Sequence, residues 1–260
     1  MRLVEVVAGN AEAPDVMGAA FALAKNLKKI TVRAGVCDGF VGNRILSHYG
    51  KSVYSMVLAG ASPYKVDKTL IEFGLAMGRF AVSDLAELDI VCANHKGLAH
   101  IQSSHETYPE CADRLCQMGW FGRKTGCGFY IYDEMARDGR SDPESDNIIA
   151  AERVEKKTIA YDIGAEAIVE RYMAAMINEA SRIVEEGIGL RPLDIDIPLL
   201  KGYGFLRWRG GPMQYADTVG LDTILGAIRH FQRKDPNFWR SAPLLERLVI
   251  KGRTVSSPNV

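Results

Sequence analysis

With 260 residues, 47% of them apolar and 25% charged, the chain can bury one or two cores and is neither a disordered tail nor a membrane segment. Its 32 basic residues equal its 32 acidic ones, so no global field gathers polyanions, and nucleic acid is not expected as a partner. No uncharged run is long enough to span a bilayer, and the start lacks the basic-then-apolar order of a signal peptide, so a cytoplasmic chain without a membrane partner is expected.

The first segment reads strand, helix, strand. LVEVV at 3–7 is a β-branched run, Pro14 and Asp15 sit where a helix begins, and Met17, Ala20, Phe21, Ala24 and Leu27 recur at helical spacing before Ile30 to Val32 returns to strand. That is one crossover unit of a parallel sheet. Two parallel strands alone leave edges and faces uncovered, which implies that further sheet belongs before residue 1.

From Phe40 the pattern turns helical, with Val41, Ile45, Tyr49, Val53 and Val57 at four-residue intervals up to Gly60. Further helices are expected near 64–73 and on to about Gly119, closed by the glycine-rich turn and aromatic strand of GRKTGCGFYIY. Residues 133–157 are charged and punctuated by glycine and proline, and read as a linker. A second long helix follows, with Ile168, Tyr172 and Met176 on one row and Val169, Met173, Ile177, Ala180 and Val184 beside it, stopping at Gly187.

The two halves answer one another. SPYKVDKTL matches RPLDIDIPLL, placing Pro63 with Pro192 and Asp67 with Asp196. MGRFAVSDLAELDIV matches RGGPMQYADTVGLDTI, placing Gly78 with Gly211, Asp84 with Asp217 and Asp89 with Asp222. The expected organisation is a remnant over 1–36, a first helical module over 37–132, a linker over 133–162 and a second module over 163–260.

Cys37, Cys92, Cys111, Cys116 and Cys127 are odd in number and irregularly spaced, which makes no disulfide framework. Cys92, His95, His100, His105, Cys111 and Cys116 crowd one stretch, but their spacings do not reproduce a closed zinc site and histidines five apart drift around a helix, so no metal is expected.

LVEVV, DGFVGNRI at 38–45, GLAMGRFAVSDLAELDI at 74–90, GRKTGCGFY at 122–130 and GYGFLRWRGGPMQYADTVGLD at 202–222 occur in an order that resembles the 3-hydroxyacyl-CoA dehydrogenase part of the multifunctional fatty-acid β-oxidation enzymes. Cys127 stands where that family usually carries lysine. The resemblance implies a mainly α fold, with two repeated C-terminal helical modules after a short β-α-β remnant of a Rossmann-type, NAD-binding domain. It implies transfer of a hydride from C3 of a 3-hydroxyacyl-CoA to NAD while a histidine takes the hydroxyl proton.

By resemblance, Glu5 matches the glutamate that orients that histidine, and Asn43 matches the asparagine that hydrogen-bonds near the histidine and the substrate oxygen. The histidine belongs upstream of Met1, and no G-x-G-x-x-G turn follows a strand to cradle a dinucleotide. The chain alone is therefore expected to be inactive and to bind no NAD by itself. Expected partners are acyl-CoA substrate and either a chain that supplies the NAD-binding domain or a second copy; the internal duplicate allows a monomer, while the orphaned N-terminal strands invite pairing with another chain. The alternative is a non-catalytic acyl-CoA-binding or assembly module.

Blander readings stand beside these. Glu5 alone is the solvent-side residue of an alternating strand, and Asn43 a helix-start cap. Gly122, Gly126 and Gly128 suggest a phosphate loop, but fit turn geometry better. Trp208 and Arg209 offer weak contacts for adenine or phosphate, or else form a structural corner.

Overall fold

A computed structural model describes residues 2–9, 11, 13–98, 109–133 and 139–257. In chain order these form β1 (Leu3–Val7), α1 (Pro14–Asn26), β2 (Ile30–Ala34), α2 (Gly42–Leu58), α3 (Pro63–Phe73), α4 (Arg79–Leu85), α5 (Leu88–Leu98) and α6 (Cys111–Gln117). The short strands β3 (Tyr130–Ile131) and β4 (Arg140–Ser141) follow, then α7 (Pro143–Glu155), α8 (Ala165–Glu185), α9 (Leu193–Gly202), α10 (Pro212–Val219), α11 (Leu221–Gln232) and α12 (Pro243–Ile250). The fold is mainly α, as the sequence pattern implies. The chain divides into two compact units, one of Met1–Tyr49 with Glu170–Val260 and the other of Gly50–Val169.

In the first unit β1 and β2 pair in parallel, Leu3 opposite Ile30 and Val7 opposite Ala34. Helix α1 makes the crossover and packs on both strands, as does α9. The buried Leu3, Val32 and Ala34 anchor this layer, while Val16 and Leu23 on α1 and Leu27 directly after it remain exposed. From Tyr172 onward α8 buries Tyr172, Met173, Met176, Ile177, Ala180 and Val184, the stripe its spacing predicts, with Ile183 buried beside them, each large side chain contributing roughly 1.5–3 kcal/mol.

The same carboxylate device organises each unit. In the second unit Asp67 of α3 accepts from Phe80 N (3.0 Å) and Ala81 N (2.9 Å) at the start of α4, and Asp84 accepts from Phe129 N and Tyr130 N (both 3.0 Å). In the first unit Asp196 of α9 accepts from Met213 N (2.8 Å) and Gln214 N (3.3 Å) at the start of α10, and Asp217 accepts from Val255 N (2.7 Å) and Ser256 N (3.0 Å). These are the aspartates that the sequence alignment of the two halves pairs. Each supplies acceptors to backbone donors that no helical carbonyl can reach.

Two expectations need correction. The stretch read as a linker holds α7, which Asp142 caps by accepting from Glu144 N and which Pro143 starts at a position that needs no donor. Its Glu152 is buried, accepting from Glu110 N (2.6 Å) and pairing with Lys156 Nζ (3.0 Å), and Arg153 donates to the carbonyls of Val57 and Leu58 at the end of α2. The polar composition that reads as linker is spent on these buried partners. Second, Cys92 of α5 and Cys116 of α6 are joined as a disulfide, while Cys37, Cys111 and Cys127 are free.

Candidate functional site

The turn over 37–40 aims α2 at β1. Gly39 (φ 73°) and Phe40 (φ 51°) are both left-handed, a conformation glycine adopts freely and phenylalanine seldom, and they swing the first amides of α2 toward the sheet. Glu5 Oε2 accepts from Val41 N at 2.9 Å and Glu5 Oε1 from Gly42 N at 3.2 Å. The carboxylate of a central strand residue thus serves as the acceptor for the exposed N–H groups of a helix, where the helix dipole also favours negative charge. Each oxygen keeps a lone pair for one more donor.

Asn43 lies one residue into that helix, so the fold brings Glu5 and Asn43 to the same helix end. Asn43 does not act as the cap in this arrangement. Glu5 fills that role, and Asn43 Oδ1 accepts from the hydroxyl of Tyr203, 2.8 Å away, just beyond α9. Tyr203 fits because residue 42 is glycine; a Cβ there would fall 2.2 Å from its ring. Burial, then the Glu5 carboxylate, push the Tyr203 phenol well above its usual range.

Beside this end of α2 runs an ion-pair chain. Arg44 donates from Nε to Glu179 Oε1 (2.7 Å) and forks onto Glu186, at 2.5 Å from Nη1 and 2.9 Å from Nη2. Arg182 Nη1 reaches the other oxygen of Glu179 at 2.9 Å, and His48 Nδ1 lies 3.5 Å from it with its ring stacked 4.4 Å from Phe238. Hydrogen bonding to Glu186, set against burial, keeps Arg44 charged. Burial alone would raise the Glu179 carboxyl, but His48, Arg44 and Arg182 outweigh it and hold the group below the usual carboxylate range. The Glu179 contact ties α2 to α8, and the bidentate pair with Glu186 ties it to the residue directly after α8.

Other expected features fall elsewhere. Gly122 and Gly128 crowd Asp84, with hypothetical Cβ atoms 2.3 Å from its carbonyl oxygen and from Oδ1 respectively, which is turn and packing geometry. Trp208 is 73% exposed in the 3₁₀ turn Arg207–Arg209, with the Arg209 guanidinium 4.1 Å from its ring and 5.2 Å from that of Tyr215. Of the Cys/His cluster, Cys92 and Cys116 pair with each other and His95 Nδ1 lies 2.6 Å from Asp113 Oδ2; His100 and His105 lie outside the described residues. Sequence reasoning named Glu5 and Asn43 and missed the Val41 and Gly42 amides, Tyr203, and the Arg44–Glu179 pair. The Gly-Tyr-Gly of GYGFLR, an aromatic between two glycines, was the one local signal for Tyr203.

A strand–helix–strand layer joined to two helical modules built on one aspartate pattern defines the class. The model of the family described as 3-hydroxyacyl-CoA dehydrogenase, C-terminal domain, matches residues 39–132 and again 168–257. The chain belongs to that family. Among relatives, the peroxisomal bifunctional enzyme of Homo sapiens is 38% identical over 97% of this chain, and the fatty acid oxidation complex subunit alpha of Shewanella amazonensis 32% identical over 98%. The chain spans 37% and 35% of their respective lengths. The dehydrogenase part of multifunctional enzyme 1 from C. elegans superposes with a TM-score of 0.71 at 30% identity, over 95% of this chain and 56% of that one. The 3-hydroxybutyryl-CoA dehydrogenase of Escherichia coli shares the fold, with a TM-score of 0.76 at 20% identity over 96% of this chain and 68% of its own.

Proposed function

We propose that the chain is the C-terminal portion of an NAD-dependent 3-hydroxyacyl-CoA dehydrogenase of fatty-acid β-oxidation, converting 3-hydroxyacyl-CoA to 3-oxoacyl-CoA, with its NAD-binding segment and catalytic histidine supplied by polypeptide outside these residues. The observation that carries the reading is Glu5 held on the first amides of α2 next to Asn43. A carboxylate fixed at both oxygens and still able to accept is suited to orient an imidazole N–H and stabilise its charged form. Asn43 supplies an amide beside it to meet the substrate oxygen.

NAD would accept the hydride, but the described residues do not fit it. Among them β1 leads to α1 through a loop with Gly9 alone in place of a G-x-G-x-x-G turn, and so gives no cradle for a pyrophosphate. The exposed Val16, Leu23 and Leu27 supply a further support: a crossover helix of a parallel sheet normally has such a face covered, here by the domain or chain that brings the cofactor. The cytoplasmic setting rests on composition; no described helix is long and apolar enough to cross a membrane, and several relatives are named as peroxisomal.

The same exposed helix face supports the second reading, a non-catalytic module that binds acyl-CoA or mediates assembly. Calorimetric titration with NAD and with acetoacetyl-CoA separates the two. The dehydrogenase reading expects neither to bind the chain alone, with turnover on addition of an NAD-binding domain; acetoacetyl-CoA binding without rescue would favour the second.

A further inference from the structure

Tyr203 is half-buried directly after α9, and its hydroxyl meets Asn43 Oδ1 at 2.8 Å. An amide oxygen only accepts, so in this pair the phenol donates. That settles the orientation of the amide: with Oδ1 committed to Tyr203, the two Nδ2 donors face the other way. The ring lies in the space left by the missing side chain of Gly42, where a Cβ would come within 2.4 Å of its hydroxyl oxygen. Burial and the neighbouring Glu5 carboxylate both raise the phenol, so it stays a neutral donor throughout the neutral range.

We propose that Tyr203 is a positioning residue of the reaction: by engaging Asn43 Oδ1 it aims the Asn43 Nδ2 donor at the C3 oxygen of the acyl group. The proposal rests on the dehydrogenase reading. Tyr203 itself makes and breaks no bond and touches no substrate atom. Without its hydroxyl the two amide orientations become nearly equal in energy, and in one of them Oδ1 faces the substrate oxygen, where two acceptors repel. The loss therefore falls on kcat and leaves the KM for NAD unchanged. Removing a preorganised donor outright lowers turnover by about a hundredfold or more, so misorienting one is expected to lower it about tenfold.

Nuclear magnetic resonance on the uniformly nitrogen-labelled chain reads the pair directly, the Asn43 side-chain signal being identified by its loss in Asn43→Ala. The expected result is a side-chain amide as rigid as the α2 backbone, which becomes mobile in Tyr203→Phe while the Val41 and Gly42 backbone signals stay in place. An amide mobile in the wild type, or unaltered by Tyr203→Phe, overturns the proposal; should that variant fail to fold, the wild-type measurement decides. With an NAD-binding domain supplied, Tyr203→Phe should lower kcat about tenfold and add nothing to Asn43→Ala. Additive losses overturn the positioning role alone, whereas an assembly without turnover overturns the dehydrogenase reading and the role with it.

Discussion

The Asp196 carboxylate occupies the space that a side chain on Gly211 would need: a Cβ there would lie 2.4 Å from Asp196 Cβ, Cγ and Oδ1. Gly78 stands in the same relation to Asp67, at 2.1 Å from Cγ, but with φ of −73° against +108° at Gly211. Gly78→Ala should therefore lose about 1–3 kcal/mol by overpacking alone, and Gly211→Ala roughly 1–2 kcal/mol more for its left-handed backbone. Urea unfolding midpoints check this; a Gly211→Ala protein as stable as the wild type would show that the carboxylate does not hold the start of α10.

Glu179 makes a pH dependence with a definite sign. Its folded-state pKa lies below its unfolded value, so the stability it brings is present above the usual glutamate range near 4.5 and is lost as pH falls through the lower folded value. Glu179→Gln should be less stable than the wild type at neutral pH, and the gap should close below about pH 4. Thermal melts across that range test it. A gap that persists undiminished in acid would mean that the Arg44, Arg182 and His48 cluster does not depend on the charge of Glu179.

Glu152 makes α7 part of the second unit's core. Glu152→Ala leaves the Glu110 N–H and the Lys156 ammonium without their buried partner and should cost about 3–5 kcal/mol. A loss below about 0.5 kcal/mol, the size expected of an ordinary surface change, would return the stretch to the status of a linker.

Where local pattern and tertiary structure agree, the sequence was legible. The β-branched run at Leu3–Val7, the apolar stripe of α8 and the stop at Gly187 follow from period and punctuation, and the paired aspartates were visible because both halves place them at matching points in their motifs. Helix α7 was not legible, because its stabilising contacts are polar and come from residues far along the chain, such as Glu110 and Leu58. The Cys92–Cys116 pair, 24 residues apart, has no spacing that marks it. At the candidate site the sequence supplied Glu5 and Asn43 through resemblance, but a backbone amide carries no side-chain signature, and Tyr203 meets Asn43 across 160 positions of chain.

The central claim is that Glu5 waits at the start of α2 for a histidine from outside these residues. Formation of NADH from 3-hydroxybutyryl-CoA, measured with and without an added NAD-binding domain that carries the histidine, tests it most directly. The account predicts no turnover by the chain alone, turnover with the added domain, and a loss of about a hundredfold or more in Glu5→Ala, in keeping with the removal of an imidazole-orienting carboxylate. Turnover by the unaided chain, or a reconstituted rate indifferent to Glu5→Ala, would contradict it.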